Sequence, residues 1–225
     1  IEVDYAGNSI PILVPSTGEL QKTELFVGVL SYSSYIYAEF TYSQKLEDFL
    51  RSHVNMFKYF GGVSRFVVCD NLKSGVTKAD KFDPDLNKSY HDLCSHYGIV
   101  IDPARVATPQ DKPVVEAAVG IIQKDFFPRV RKKTYTSIYS LNQDLWDFLK
   151  FKNKDLMKDR GFSREELFLK ESQFLNPLPE YDYEIFYFKK AKVHPDCHVQ
   201  HKNNFYSVPF KYVGQEVTIK YNSKV

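Results

Sequence analysis

The chain has 225 residues, 43% hydrophobic and 16% aromatic, which supplies a full core and excludes a disordered chain. Formal net charge is only +2, yet residues 1–50 hold seven acids against two lysines and residues 186–225 hold seven lysines against two acids, so a polyanion would be drawn to one end. Three irregularly spaced cysteines (Cys69, Cys94, Cys197), with no leader segment and no long apolar run, argue against a disulfide-stapled secreted protein or a membrane span and for a reducing, cytoplasmic setting.

Ile1–Ala6 alternates and predicts a short strand, with Gly7-Asn8 as the turn; Ile10–Val14 predicts a second, ended by Pro15–Gly18. Thr23–Ser31 and Tyr35–Thr41 are β-rich runs with a short connection, which suggests an antiparallel pair. Ser43 is a candidate cap for a helix whose stripe is Leu46, Phe49, Leu50, His53, Phe57 and Phe60, with Gly61-Gly62 ending it. Arg65–Asp70 reads as a compact strand with an acid at its end. A helix from about Lys88 to Tyr97, closed by Gly98, and a strand Ile99–Asp102 follow. Strands alternating with helices in this order predict an α/β fold with a mixed sheet.

Ala104–Lys124 opens as a polar loop and turns into a helix that starts at Asp111, Lys112 or Pro113, since proline suits a first helical turn. Val114, Val115, Ala117, Ala118, Val119, Ile121 and Ile122 make that helix apolar almost all round, and such a helix is expected to be buried. Glu116 sits inside the run, either on a wet face near the favourable N-terminus or as a site acid. Lys124–Lys133 is dense in basic residues. Leu141, Leu145, Phe148 and Leu149 mark another helix, and Ser163–Glu166 fits a capping box for one more. After Pro177–Pro179, a linker, the runs Tyr183–Phe188, Cys197–His201, Phe205–Val208 and Glu216–Tyr221 predict a small β-barrel or sheet. Opening at Ile1 without Met and stopping at Val225 in a strand-like run, the chain is expected to be a piece of a longer protein.

Asp4 interrupts the first strand, Asp70 ends a central one, and Glu116 lies in the first turns of an apolar helix. If the two strands are neighbours their carboxylates can converge, and Glu116 can reach them from the helix. Three hard oxygen donors without His or Cys suit Mg²⁺ or Mn²⁺ rather than zinc. Two such ions about 3.5–4 Å apart can serve an in-line phosphoryl displacement. Without metal, three close carboxylates would repel one another.

The local sequences carry more than the spacing. Asp4 in Glu-Val-Asp-Tyr, Asp70 in Val-Val-Cys-Asp-Asn, and Glu116 at the end of Thr108-Pro-Gln-Asp-Lys-Pro-Val-Val-Glu116 resemble the three acidic motifs of DDE transposases and retroviral integrases, members of the RNase H-like superfamily. Asp70-Asn-Leu-Lys-Ser-Gly-Val76, with Phe60-Gly-Gly-Val63 and Tyr37-Ala-Glu-Phe40, is closer still to IstA-type insertion-sequence transposases. Asn204–Pro209 and Val213–Thr218 are similar to the β-barrel that follows the catalytic core in that family and in phage Mu transposase.

The resemblance implies an RNase H-like mixed five-stranded sheet with flanking helices over residues 1–150, a helical linker over 151–181, and a small, incomplete DNA-binding β-barrel over 182–225. It implies that Asp4, Asp70 and Glu116 hold two Mg²⁺ or Mn²⁺ ions, cleave a DNA 3′ end with water, and transfer the freed 3′-hydroxyl to target DNA. It further implies a bacterial homo-oligomer on double-stranded DNA, at the nucleoid when bound, with an ATP-hydrolysing helper protein and no membrane role. The alternatives are an RNase H-like nuclease without strand transfer and a non-catalytic DNA-binding or assembly module. Two departures stand: 45 residues separate Asp70 from Glu116, more than in retroviral integrases, and the family's N-terminal helix-turn-helix reader is absent.

Lys73 and Lys112 follow two of the acids and are candidates for DNA phosphate contacts, or ordinary solvated lysines. Arg129, Arg131, Lys132 and Lys133 follow the Glu116 helix and read as a phosphate-binding run or a wet surface; the C-terminal lysines likewise fit backbone contacts. His194, Cys197, His198 and His201 match zinc-site spacing poorly, because alternation would send Cys197 and His201 to one face and His198 to the other. Asp102 before Pro103 reads as a turn former, and Asp80, Asp83 and Asp85 as solvated.

Overall fold

Alternation along three long strands organises the computed structural model, which describes residues 1–69, 84–100 and 113–222. Strand β1 (Glu2–Ala6) pairs antiparallel with β4 (Glu24–Val29), which pairs antiparallel with β5 (Ile36–Thr41). A small hairpin of β2 (Ile12–Leu13) and β3 (Leu20–Gln21) fills the connection between β1 and β4. On its other side β1 takes β6 (Val68–Cys69) in parallel, with Glu2 opposite Val68 and Val3 opposite Cys69. The sheet is therefore mixed, in the order β5-β4-β1-β6. Four strands are present among the described residues rather than five. Where Ile99–Asp102 was expected to add a strand, Val100 makes a single parallel bridge to Phe66, and residues from 101 lie outside the description.

Because successive side chains leave opposite faces of a strand, each strand feeds two cores. Ile1, Val3, Tyr5 and Phe26 face helix α1 (Leu46–Phe60) and helix α2 (Pro84–Tyr97). Ala6, Leu25, Val27, Val29, Ala38 and Phe40 face helix α3 (Pro113–Ile121) and helix α5 (Ile138–Lys152), with the short helix α4 (Phe127–Val130) between those two. Helices on both faces of the sheet make a three-layer α/β unit. The α1 stripe lies as the sequence predicts, and Gly61 closes it at φ 68°, a left-handed turn that costs glycine nothing. Ser43 is not the cap. Lys45 holds that position without a side-chain bond, and the Ser43 hydroxyl instead accepts from the Lys45 N–H (3.2 Å) and donates to Asp48.

Residues 151–181 are more than helical. Strands β7 (Leu156–Met157) and β8 (Phe162–Ser163) form a hairpin, and helix α6 (Arg164–Glu171) starts on a complete capping box of Ser163 and Glu166. Beyond it the first C-terminal strand is β9 (Tyr187–Lys192) rather than Tyr183–Phe188. Tyr183 is spent elsewhere: its ring is buried in the α1–α2 core, and its hydroxyl reaches Ser89 O and Asp92. β9 pairs with β12 (Glu216–Tyr221), and β10 (His198–His201) with β11 (Asn204–Ser207). These two-stranded ladders do not close into a barrel among the described residues. Cys197 lies before β10 at φ 64° and so does not share strand alternation with His201. His198 bonds Asp196 O and Ser207, while His201 is buried against the Tyr221 ring, 4.1 Å between centroids.

Candidate active site

β1 is the strand on which a site can be built, since it has a neighbour on each side and a helix over each face. Asp4 is its middle residue and is half-buried, standing opposite Val27 of β4. By alternation it shares a face with Glu2 and Ala6, the face covered by α3. Its Oδ1 accepts the Tyr5 N–H at 2.9 Å, which fixes the orientation of the carboxyl relative to the strand.

α3 begins at Pro113, the third of the expected starts, and Glu116 lies in its first turn. The expectation of a helix buried all round fails. Val115 and Ala118 are buried against the sheet, Val114, Val119 and Ile121 are half-buried, and Ala117 and Glu116 are exposed. The reason is that the layer packs on one side of α3 only. Its outer side borders an open groove of about 760 Å³, shared with Lys152, Met157, Arg160 and Arg164. Glu116 is therefore not a buried carboxylate in need of a partner, and burial cannot have been the clue to its role.

The tie between β1 and α3 is Glu2, a residue that no local pattern singles out. Its side chain is buried, and Oε2 accepts the N–H of Val114 (3.2 Å) and of Val115 (3.0 Å), while Oε1 takes the Ser31 hydroxyl at 3.4 Å. A carboxylate at this place satisfies two of the four orphan N–H groups of a helix start and meets the positive end of its dipole. Only an Asp, Glu, Asn or Gln two positions before a strand acid, read together with a helix start far down the chain, could have signalled it.

Asp70, Lys73 and Lys112 lie outside the described residues, as do Asp80, Asp83 and Asp102. Asp70 follows Cys69 directly in sequence, as Asp4 follows Val3, and Val3 and Cys69 are register partners. Among the described residues no group of three or more His, Cys, Asp or Glu is arranged to hold a metal ion.

The basic run occupies the continuation of α3. Residues Ile122–Phe126 form a π-helical segment that leads into α4. The cause is Pro128, which has no N–H to give and whose ring crowds the preceding turn; widening that turn by one residue relieves the clash. Phe127 accordingly bonds back to Ile122 O. Arg129, Arg131, Lys132 and Lys133 are all exposed, but not equally free. Lys133 pairs with Asp144 at 2.6 Å, and together with Tyr135 it holds that carboxyl below the usual carboxylate range. Arg129 lies over the Phe148 ring, 5.2 Å from its centroid.

Residues 178–224 match the family model of the Mu transposase, C-terminal domain. Along its whole length the chain is 38% identical to the Sinorhizobium fredii protein named "Putative transposase y4bL/y4kJ/y4tB", of which it covers 44%. It is 29% identical to the transposase for insertion sequence element IS21 of Pseudomonas aeruginosa, over 92% of this chain and 53% of that protein. The chain thus spans about half the length of these relatives. In fold it is similar to the catalytic core domain of BIV integrase, at 16% identity and a TM-score of 0.50, over 76% of this chain and 94% of that one.

Proposed function

The chain is a homologue of insertion-sequence transposases, and on that premise we propose that it carries the catalytic core of one, a metal-dependent polynucleotidyl transferase that cleaves a DNA 3′ end and joins it to a target. The single observation that best supports this reading is the β1–β6 register. Val3 stands opposite Cys69 in a parallel pair, and the residues that follow these two in sequence are Asp4 and Asp70. Glu116 then belongs to the helix that covers the Asp4 face.

The donor set fits a hard divalent cation. Asp4 is a half-buried carboxylate and Glu116 an exposed one, and Asp70 is the third oxygen donor in sequence. Bound there, Mg²⁺ or Mn²⁺ would supply Lewis acidity at the phosphate and lower the cost of generating an oxygen nucleophile. The residues themselves would do three things. Asp4, oriented by the Tyr5 N–H, would present a fixed oxygen from the middle of the sheet. Asp70, next in sequence to the end of β6, would present a second. Glu116, exposed in the first turn of α3, would present the third. Arg131 and Lys132 would hold the DNA backbone beyond it.

Residues 1–150 would then be the catalytic core, 151–181 the connection, and 182–225 a DNA-gripping unit. A homo-oligomer on paired DNA ends and an ATP-hydrolysing helper follow from the same family resemblance. The test is to incubate the full-length protein with duplexes bearing the ends of its own element and Mg²⁺ or Mn²⁺, and to separate the products by size. Joined products abolished by Asp4→Asn, Asp70→Asn or Glu116→Gln are the expected result. Cleavage without joining would make it a nuclease of the same superfamily, and no products at all a binding module.

A further inference from the structure

We propose that Glu2 is a positioning residue for Glu116: its carboxylate fastens the first turn of α3 to β1, and so sets where the helix acid stands relative to Asp4. The inference rests on the assignment of Asp4, Asp70 and Glu116 made above and adds to it a residue that touches neither DNA nor metal.

The geometry is specific. Glu2 and Asp4 are two residues apart on one strand and point to one face. The Glu2 Oε2 takes the N–H of Val114 and Val115 at 3.2 and 3.0 Å, and Glu116 is the next residue. Two covalent steps on the strand, one side chain, and one step on the helix thus join the two acids. The other oxygen is engaged too, by the Ser31 hydroxyl, and the whole side chain is only 7% exposed, so it has little freedom to swing. Apolar packing alone would not achieve this. The contacts of α3 with the sheet run through the aliphatic side chains of Val114, Val115, Ala118, Val119 and Ile121, and such contacts carry no directional bond to fix the first turn. Two directional hydrogen bonds from adjacent N–H groups to one held oxygen do fix it.

A merely stabilising cap would alter folding and leave the chemistry of the folded molecules alone. A positioning residue alters the chemistry, because acids displaced by a fraction of their reach hold the reacting groups poorly. The full-length protein is therefore assayed for end cleavage and joining as Glu2→Ala, Glu2→Gln and Glu2→Asp, beside Asp4→Asn and Glu116→Gln. In Glu2→Ala the turnover of bound DNA should fall about 10–100-fold, the order expected for an ångström-scale misplacement. The metal concentration for half-maximal activity should rise, with the KM for DNA unchanged. Glu2→Gln keeps an acceptor oxygen at the same reach and should recover most of the turnover. Glu2→Asp keeps the charge but is one methylene short, and should recover less. Since both of these conserve a polar side chain, their order reads out the proposal even if Glu2→Ala does not fold. The reverse order, Asp active and Gln dead, would overturn it, because charge and not reach would then be what matters. Wild-type turnover and metal dependence in Glu2→Ala, with Asp4→Asn and Glu116→Gln inactive, would overturn the positioning role alone. Full activity in Asp4→Asn or Glu116→Gln would instead overturn the assignment on which it rests.

Discussion

The side-chain amide of Asn142 on α5 mirrors the backbone of Phe40 on β5: its Oδ1 accepts the Phe40 N–H at 2.6 Å and its Nδ2 donates to the Phe40 carbonyl at 3.0 Å. Asn153 does the same for Ile36, at 3.1 and 2.9 Å, and the Trp146 indole N–H reaches Ala38 O at 3.0 Å. β5 is an edge strand, and every second residue of its outer edge is thus satisfied by one helix instead of by another strand. Replacing Asn142 with Leu strips two buried backbone groups of their partners. The loss should be on the order of 2–4 kcal/mol of stability, read by urea denaturation with the fluorescence of Trp146, the chain's one tryptophan.

His53 lies at the centre of the α1 core, fully buried, among the rings of Phe26, Phe49, Phe57 and Tyr90. Burial pushes its imidazole down from the ordinary 6.5 to about 4, against the opposing pull of the Phe49 carbonyl at 2.8 Å. A histidine whose folded value is depressed binds its proton more readily in the unfolded chain. Its contribution is therefore complete above pH 6.5 and is lost as the pH falls from there towards 4, by on the order of 3 kcal/mol. In His53→Leu the fall in melting temperature between pH 7 and pH 5 should be visibly shallower. An unchanged slope would mean that other groups cause it.

Gly62 is held by close approach rather than by its backbone angles. A Cβ built there would sit 2.8 Å from Leu175 Cβ and 2.9 Å from the Asn176 carbonyl, while the next residue, Val63, exchanges two backbone bonds with Asn176 at 2.9 and 2.8 Å. Backbone cannot move aside as a side chain can. Gly62→Ala should cost about 1–3 kcal/mol and should detach residues 174–178 from the α1 end, which limited proteolysis at that segment would reveal.

The four basic residues after α3 should not contribute alike to DNA binding. Arg131 and Lys132 have no partner among the described residues, whereas Lys133 is already paired with Asp144 and Arg129 is spread on Phe148. Arg131→Ala and Lys132→Ala should each reduce the slope of log affinity against log salt by about 1. Lys133→Ala should change it less, and equal slopes for all four would contradict this ranking. Fluorescence anisotropy of a labelled duplex over a salt series makes the comparison.

The sequence made β4, β5 and α1 legible because their apolar runs are continuous, β1 because its alternation ends at a turn signal, and the Ser163 capping box because that signal is local. Elsewhere, physical context decides. The α3 segment is apolar on every side, and composition alone could not tell that Val115 and Ala118 are the two residues of it buried fully against the sheet. Tyr183 reads as a strand residue, but its ring fits the α1–α2 core, which moves the first C-terminal strand on to Tyr187. Ser43 has the chemistry of a cap and lies two residues too early to use it. Glu2, Asn142 and Asn153 were beyond reach for one shared reason: each bonds backbone more than a hundred residues away, and pairing at that separation leaves no local pattern. For the candidate site, Asp4 and Glu116 were picked out by motif and fall on elements that pack together, while Asp70 falls outside the described residues.

On the assignment proposed for Glu116, the unbroken run of helix from Pro113 to Val130, carried through its π segment, would also act as a ruler. Val130, the last helical residue before Arg131, is fourteen positions on from Glu116, a span on the order of 20 Å at helical rise. Along a duplex that is about six base pairs. A rigid rod of this length would grip the double helix half a turn away from the bond under attack, so that the footprint on DNA would be lopsided, extending further to one side of the cut than to the other.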